Sequence, residues 1–208
     1  MSYKSLRACV EDLQRNGHLV RIAEEMDPCL EMAEIQRRLY TAEGPAVLFE
    51  RVKGSPFPCV ANLFGTPERC RFMFRNTLES VRKILRLKAD PTAALRHPFT
   101  FASAPFTAWK SLPKKARGGA ALARTTTISQ LPAIRSWPDD GGPFITLPQV
   151  YTEDPRQPKP LTSNLGMYRI QLSGNDYETD REVGLHYQIT GASESTTPRR
   201  SRGGSPSR

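Results

Sequence analysis

The stretch Ser163-Asn164-Leu165-Gly166-Met167-Tyr168-Arg169-Ile170-Gln171-Leu172-Ser173-Gly174 decides how the chain is read. On its own residues it is a turn entering a strand. Gly166 sits where the backbone needs an unusual angle or a close approach to a ligand. Asn164 offers a neutral amide oxygen, the hard donor that Mg²⁺ or Mn²⁺ prefers. Arg169 offers a planar fork of donors suited to a carboxylate or a phosphate. In one cleft the two would hold a phosphate-bound metal and an acidic substrate. The same residues also suit an ordinary turn with one surface arginine.

Around this stretch the text is short and β-rich. Residues 125–128, 144–147, 150–152 and 167–172 read as strands, separated by Pro132, Trp137-Pro138, Gly141-Gly142 and Pro148. That is the texture of a β-barrel or sandwich beginning. Trp137 and Asp139-Asp140-Gly141-Gly142 read as a structural turn.

Further toward the N-terminus, helix and strand signals alternate. Leu6, Val10 and Leu13 recur at helical spacing up to Asn16-Gly17, and residues 19–22 alternate like a strand. Asp27-Pro28 predicts an N-cap with proline at the first helical position, opening a helix through Leu30, Ile35 and Leu39 to about Tyr40. Residues 46–49 predict a buried strand and residues 59–64 the next one. Thr66-Pro67 opens a helix toward Phe74. Thr77 caps another, with Leu78, Val81, Ile84 and Leu85 on its apolar face. Residues 89–113, punctuated by proline, read as an irregular connector. The expected fold class is therefore α+β: an N-terminal α/β domain over residues 1–105, then the first part of a β-barrel.

The 208-residue chain contains no apolar run near the roughly 18 residues of a membrane helix, and its start lacks a signal-peptide core. A cytoplasmic location is expected. Cys9, Cys29, Cys59 and Cys70 have no zinc-type spacing and read as reduced, at least partly buried thiols. His18, His97 and His186 form no ligand pair, so any metal must rely on oxygen donors or on residues far apart. The net charge is +9. The last nineteen residues hold four arginines against Glu194, which leaves +6 spread over helices and a loop around Lys114, Lys115 and Arg117. No basic stripe with interleaved aromatics is evident, so no specific nucleic-acid partner is expected.

SNLGMYRIQLSG resembles the flavin- and metal-binding stretch of the UbiD decarboxylases. EMAEIQRR (31–38), GPAVLFE (44–50), Lys53-Gly54 and Pro56 ahead of NLFGTPER (62–69), SWPDDGGPFITL (136–147) and VYTEDP (150–155) resemble successive blocks of that family, in its order. The wording near GPFITLPQVYTEDP and GLHYQI is closer to the menaquinone-pathway-like branch than to the 3-octaprenyl-4-hydroxybenzoate carboxy-lyase of ubiquinone synthesis. The resemblance implies a flavin-binding split β-barrel over residues 106–189. It implies reversible, non-oxidative decarboxylation of an aromatic or unsaturated acid in quinone biosynthesis, with prenylated FMN, Mn²⁺ and in some cases K⁺. A flavin prenyltransferase would supply the cofactor, and the intact enzyme would be a homo-oligomer. By resemblance, Asn164 is a metal ligand, and Arg169 orients the substrate carboxylate. Met167, Tyr168 and Arg169, with His186, Tyr187 and Gln188, line the cofactor.

After Ile189 the resemblance stops. The family continues with His-Arg-Gly, whereas Thr190-Gly191-Ala192 stand here. Residues 190–208 contain no Leu, Ile, Val, Phe, Tyr or Trp and are expected to be a disordered, non-family tail. The expectation is an interrupted reading frame whose product is inactive alone. The second reading is a non-catalytic interaction module with a basic disordered tail.

Overall fold

The computed structural model describes residues 3–96, 98–112, 118–119, 122–157 and 163–186. Contacts divide the chain into two units, Met1–Pro138 and Asp139–Arg208. The disorder expected of residues 190–208 lies outside the described residues.

The first unit is organised by one central strand. In β2 (Ala46–Val52) alternate side chains feed opposite sides of a three-stranded sheet. Ala46 and Leu48 join Cys9, Val10 and Leu13 of α1 (Leu6–Arg15) and Met73 of α3 (Pro67–Met73). Val47 and Phe49 join Met32, Ile35 and Leu39 of α2 (Glu31–Thr41). Strand β1 (Leu19–Met26) pairs parallel with β2, and β3 (Cys59–Ala61) pairs antiparallel with it. A strand covered on both faces must read as the nearly continuous apolar run seen at 46–49.

Local signals hold at α1, where Ser5 Oγ accepts the Ala8 N–H at 3.1 Å, and at α3, where Thr66 Oγ1 accepts the Arg69 N–H at 3.2 Å. The Asp27-Pro28 cap is displaced. Asp27 Oδ1 accepts the Cys29 N–H at 2.8 Å as a local turn, and α2 starts only at Glu31. A long-range bridge explains this: Leu30 N–H bonds Arg135 O at 2.9 Å and Arg135 N–H bonds Pro28 O at 3.0 Å, and Leu30 itself takes a left-handed backbone, φ 69°, so Pro28–Leu30 cannot join the helix. The same pairing ties residues near 135 to the first unit. Cys29 is exposed rather than part-buried.

The expected strand at 59–64 ends at Ala61 because Asn62 takes a left-handed backbone, φ 57°. From there Asn62-Leu63-Phe64-Gly65 wraps a buried arginine. The Arg69 guanidinium donates to the carbonyls of Leu63 (3.0 Å), Gly44 (2.9 Å) and Asn62 (2.6 Å). Residues 89–113 are largely helical, not irregular: α4 (Leu78–Ala89) is followed by α5 (Ala93–Arg96), α6 (Pro98–Phe101) and α7 (Ala104–Ser111). Proline at the first turn of α6 and α7 starts helices instead of preventing them. Residues 125–128 form no strand and lead into a 3₁₀ turn at Ile128–Gln130.

The second unit holds two small antiparallel sheets among its described residues. One orders β4 (Phe144–Ile145), β7 (Ile170–Gln171) and β8 (Gly184–Leu185) side by side. The other pairs β5 (Gln149–Glu153) with β6 (Ser163–Met167). The single strand expected over 167–172 is interrupted at Tyr168-Arg169, so β6 and β7 belong to different sheets.

Candidate functional site

The β5–β6 register sets the first half of the site. Thr152 faces Asn164, Val150 faces Gly166, Tyr151 faces Leu165 and Gln149 faces Met167. With side chains alternating, Asn164 and Gly166 share one face, while Leu165 and Met167 share the other with Tyr151 and Glu153. The expected metal ligand and the expected cofactor-lining methionine therefore project to opposite sides of β6. Leu165 and Met167 are well exposed.

Tyr168 leaves the strand and folds its ring back over Gly166. A Cβ at position 166 would lie 2.6 Å from Tyr168 Cε2, so only glycine admits this ring without a shift. The returning hydroxyl accepts the Asn164 Nδ2–H at 2.7 Å. That bond fixes the amide and leaves Asn164 Oδ1 with no hydrogen bond among the described residues.

Arg169 anchors the second half. Its Nη2 donates to Asp140 Oδ1 at 2.9 Å, and its guanidinium carbon lies 3.8 Å from the centroid of the Phe144 ring. Arg169 is half-exposed whereas Asp140 is nearly buried. The guanidinium plane is thus set by one charge-assisted bond and one ring. Its Nε and Nη1 donors have no partner among the described residues. His186 lies on the neighbouring strand end: its N–H bonds Arg169 O at 3.0 Å, and its ring meets the Phe144 edge at 5.1 Å between centroids.

Beneath these groups, buried Gln171 acts as a hub. Its Nε2 donates to Gly141 O at 3.0 Å, and its Oε1 meets Asn175 Nδ2 (3.1 Å), Tyr177 Oη (3.3 Å) and His186 Nε2 (2.9 Å). With its proton on Nε2, His186 is a donor to this oxygen. Around the expected residues Asn164, Met167, Tyr168, Arg169 and His186 the structure adds Asp140, Phe144 and Gln171, which the sequence does not point to as partners of Arg169 and His186. In the sequence Asp140 reads as part of a turn, and only the 29-residue return of the chain brings it to Arg169. Tyr187 and Gln188 lie outside the described residues.

The described residues do not by themselves fit a divalent metal. Asn164 contributes one oxygen, and the nearest strand carboxylate, Glu153, sits on the opposite face, where Tyr151 Oη donates to it at 2.5 Å. No group of three His, Cys, Asp or Glu side chains comes together among the described residues, whereas Mg²⁺ takes about six ligands. No helix there is long and apolar enough to cross a membrane.

The N-terminal domain of 3-octaprenyl-4-hydroxybenzoate carboxy-lyases matches residues 10–88, and the Rift-related domain of the same enzymes matches residues 114–206. The chain belongs to the UbiD family. The UbiD match continues beyond Ile189 into the Ser- and Arg-rich segment. An uncharacterised Chlamydia trachomatis serovar D protein is 41% identical over 200 residues, covering 89% of this chain and 31% of the relative. A Chlamydia pneumoniae protein, named as one subunit of 4-hydroxybenzoate decarboxylase, is 34% identical over 197 residues, covering 88% and 31%. This UbiD chain thus spans about a third of the length of the curated relatives it matches. In structure it resembles the closed form of vanillic acid decarboxylase from Sedimentibacter hydroxybenzoicus (25% identity, TM-score 0.63, 90% of this chain and 38% of that one). It also shares the fold of an evolved dimeric UbiD-class enzyme from Pelotomaculum thermopropionicum, solved with prFMN (22% identity, TM-score 0.62, 90% and 39%).

Proposed function

We propose that this chain supplies the N-terminal domain and the first part of the flavin-binding domain of a carboxy-lyase acting reversibly on an aromatic or unsaturated carboxylic acid. The observation that carries this reading is Arg169. Asp140 and Phe144 fix its plane, and it keeps N–H donors for a further anion. It follows by five residues an asparagine whose amide oxygen has no hydrogen bond among the described residues. Residues 1–105 form the N-terminal domain and residues 106–189 the barrel portion. Arg169 receives the substrate carboxylate and holds it in one orientation, which turns an encounter into a positioned reactant. Met167, Tyr168, Arg169, His186, Tyr187 and Gln188 line the cofactor. Asn164 would offer a single oxygen to Mn²⁺, which with K⁺ is an ion of the intact family enzyme. Prenylated FMN, when bound, supplies the electron sink that an sp² carbon lacks as CO₂ departs. The setting is quinone biosynthesis in the cytoplasm, with a flavin prenyltransferase as cofactor supplier and a homo-oligomeric enzyme.

The 208 residues alone turn nothing over in this reading, because Asn164 is one donor among the several required and Thr190 stands where the family carries a histidine. The test joins residues 1–189 to the remaining two thirds of the Chlamydia pneumoniae relative and co-expresses the product with a flavin prenyltransferase. It should release CO₂ from 4-hydroxybenzoate. Arg169→Ala should lower kcat/KM by at least about 10²-fold while flavin absorbance is retained. An Arg169→Ala enzyme within twofold of the parent would refute the role given to Arg169. A 208-residue chain purified with stoichiometric flavin and manganese would refute the incomplete site.

A further inference from the structure

Leu30 takes a backbone conformation that leucine rarely adopts. Its φ of 69° and ψ of −39°, with the Glu31 N–H bonded to Cys29 O at 2.9 Å, form a γ-turn of the rare, strained kind. A side chain at such a φ crowds its own backbone, so the turn persists only where its surroundings impose it. Side-chain packing does little of this, since Leu30 is 37% exposed. The constraint is Arg135, whose carbonyl accepts the Leu30 N–H and whose own N–H donates to Pro28 O. That bridge is itself costly, because Arg135 Nε is buried with no hydrogen-bond partner among the described residues.

The same residues suit a second conformation. Asp27 as cap and Pro28 at the first helical position would start α2 one turn earlier. The cap bond of that longer helix already exists: Asp27 Oδ1 accepts the Cys29 N–H at 2.8 Å, the second N–H after the cap. Proline at 28 has no N–H to leave unpaired. Only the turn at Leu30 has to relax, with φ returning to a negative value and the Glu31 N–H passing from Cys29 O to Asp27 O. The change relieves the strain and opens Arg135 Nε to water, and it gives up the two bonds to Arg135. Strain at one residue and two backbone hydrogen bonds are of the same small order, which is the balance a two-state element needs.

We propose that residues 27–30 are a conformational latch: bridged, they fasten the segment around Arg135 to the first unit, and helical, they let it go. Ser55 Oγ, which donates to Gln130 O at 2.6 Å, is a second fastening of that segment. Beyond the bridge the chain is braced, with Arg135 Nη2 donating to Pro138 O at 2.6 Å. Asp140, the carboxylate that holds Arg169, follows two residues after Pro138. Opening the latch gives Asp140 slack and leaves the guanidinium plane to the Phe144 ring alone. The latch stands without the decarboxylase reading; only its meaning for a carboxylate at Arg169 rests on that reading.

The test reads amide exchange and backbone chemical shifts of the full 208-residue chain by NMR. Leu30→Gly fits the positive φ and disfavours helix, so it should tighten the latch and slow exchange of the Arg135 amide by about tenfold. Leu30→Ala keeps the Cβ and favours helix, so it should speed that exchange. Exchange of the Val47 and Phe49 amides in β2 should be the same in both variants, which separates an effect at the latch from a general change in stability. Arg135→Pro removes the N–H bonded to Pro28 O. The Cα shifts of Cys29 and Leu30 should then become helical, and the Arg169 Nε–H signal should move. Equal Arg135 exchange in Leu30→Gly and Leu30→Ala overturns the latch, whether or not Arg135→Pro folds. So does a folded Arg135→Pro chain in which residues 28–30 keep non-helical shifts. Helical shifts there with an unmoved Arg169 signal overturn the link to Asp140.

Discussion

Replacing Arg69 by Met should cost the N-terminal unit about 3 kcal/mol. Arg69 is buried, and burial draws its pKa down from the usual arginine value. Its guanidinium closes three carbonyls, each bond worth about 1.5–3 kcal/mol as a charge-assisted pair. The losses are unequal. Gly44 O keeps a 3.3 Å bond from Asn62 Nδ2, and Asn62 O keeps one of 3.3 Å from the Gly65 N–H, while Leu63 O loses the bond Arg69 supplied. Methionine keeps most of the side-chain volume and removes a desolvated cation, which offsets part of the gross loss. With stabilities of about 5–15 kcal/mol, the net change is large enough to read in a urea titration of the whole chain. The midpoint should fall with the slope unchanged. Arg69→Lys should recover only part, because one ammonium does not span three carbonyls in a fork. If Arg69→Met lies within about 1 kcal/mol of wild type, the carbonyl cradle is not what stabilises the Asn62–Arg69 turn.

Gly166→Ala should push the Tyr168 ring away and break the Asn164–Tyr168 bond; it and Tyr168→Phe should each cost about 1 kcal/mol. The double variant should cost no more than either alone, because both remove one bond. The Asp12 carboxyl is held below its usual range by the Tyr3 hydroxyl and then by Arg75, so its contribution is present above the unfolded value and lost as pH falls through the lowered folded pKa. Tyr3 is raised, first by burial and then by Asp12, so its contribution holds below the unfolded value near 10 and is lost as pH rises through the folded one. Urea midpoints against pH should therefore decline at both ends, with Asp12→Asn flattening the acid limb and Tyr3→Phe the alkaline one. Burial pushes the Cys59 thiol up to about 11, whereas Cys29 is exposed; a thiol reagent at about pH 8 should label Cys29 first, with Cys59 appearing only as the protein unfolds.

How much of this was legible in the amino-acid order depends on the range over which each feature is set. Local chemistry was readable: the Thr66 cap, the stop at Gly17 and the buried run at 46–49 are decided within a few residues. The same holds for Asn164 and Arg169 as candidate donors and for the string of blocks that identifies the family. Features set by distant pairing were not readable. Asp27 and Pro28 carry a proper cap signature, yet Arg135 bonds Pro28 and Leu30 in an isolated bridge, Leu30 takes a left-handed backbone, and the helix starts at Glu31. Residues 89–113 look like a connector because proline breaks helices in general, while a first-turn proline does not. The site divides the same way. Tyr168 over Gly166 is a two-residue event, and glycine there is its trace in the sequence. Asp140 on Arg169, Phe144 beneath it and Gln171 at the centre meet only because β4, β7 and β8 are brought side by side. A carboxylate 29 residues away becomes the partner of that guanidinium only when the chain folds back on itself.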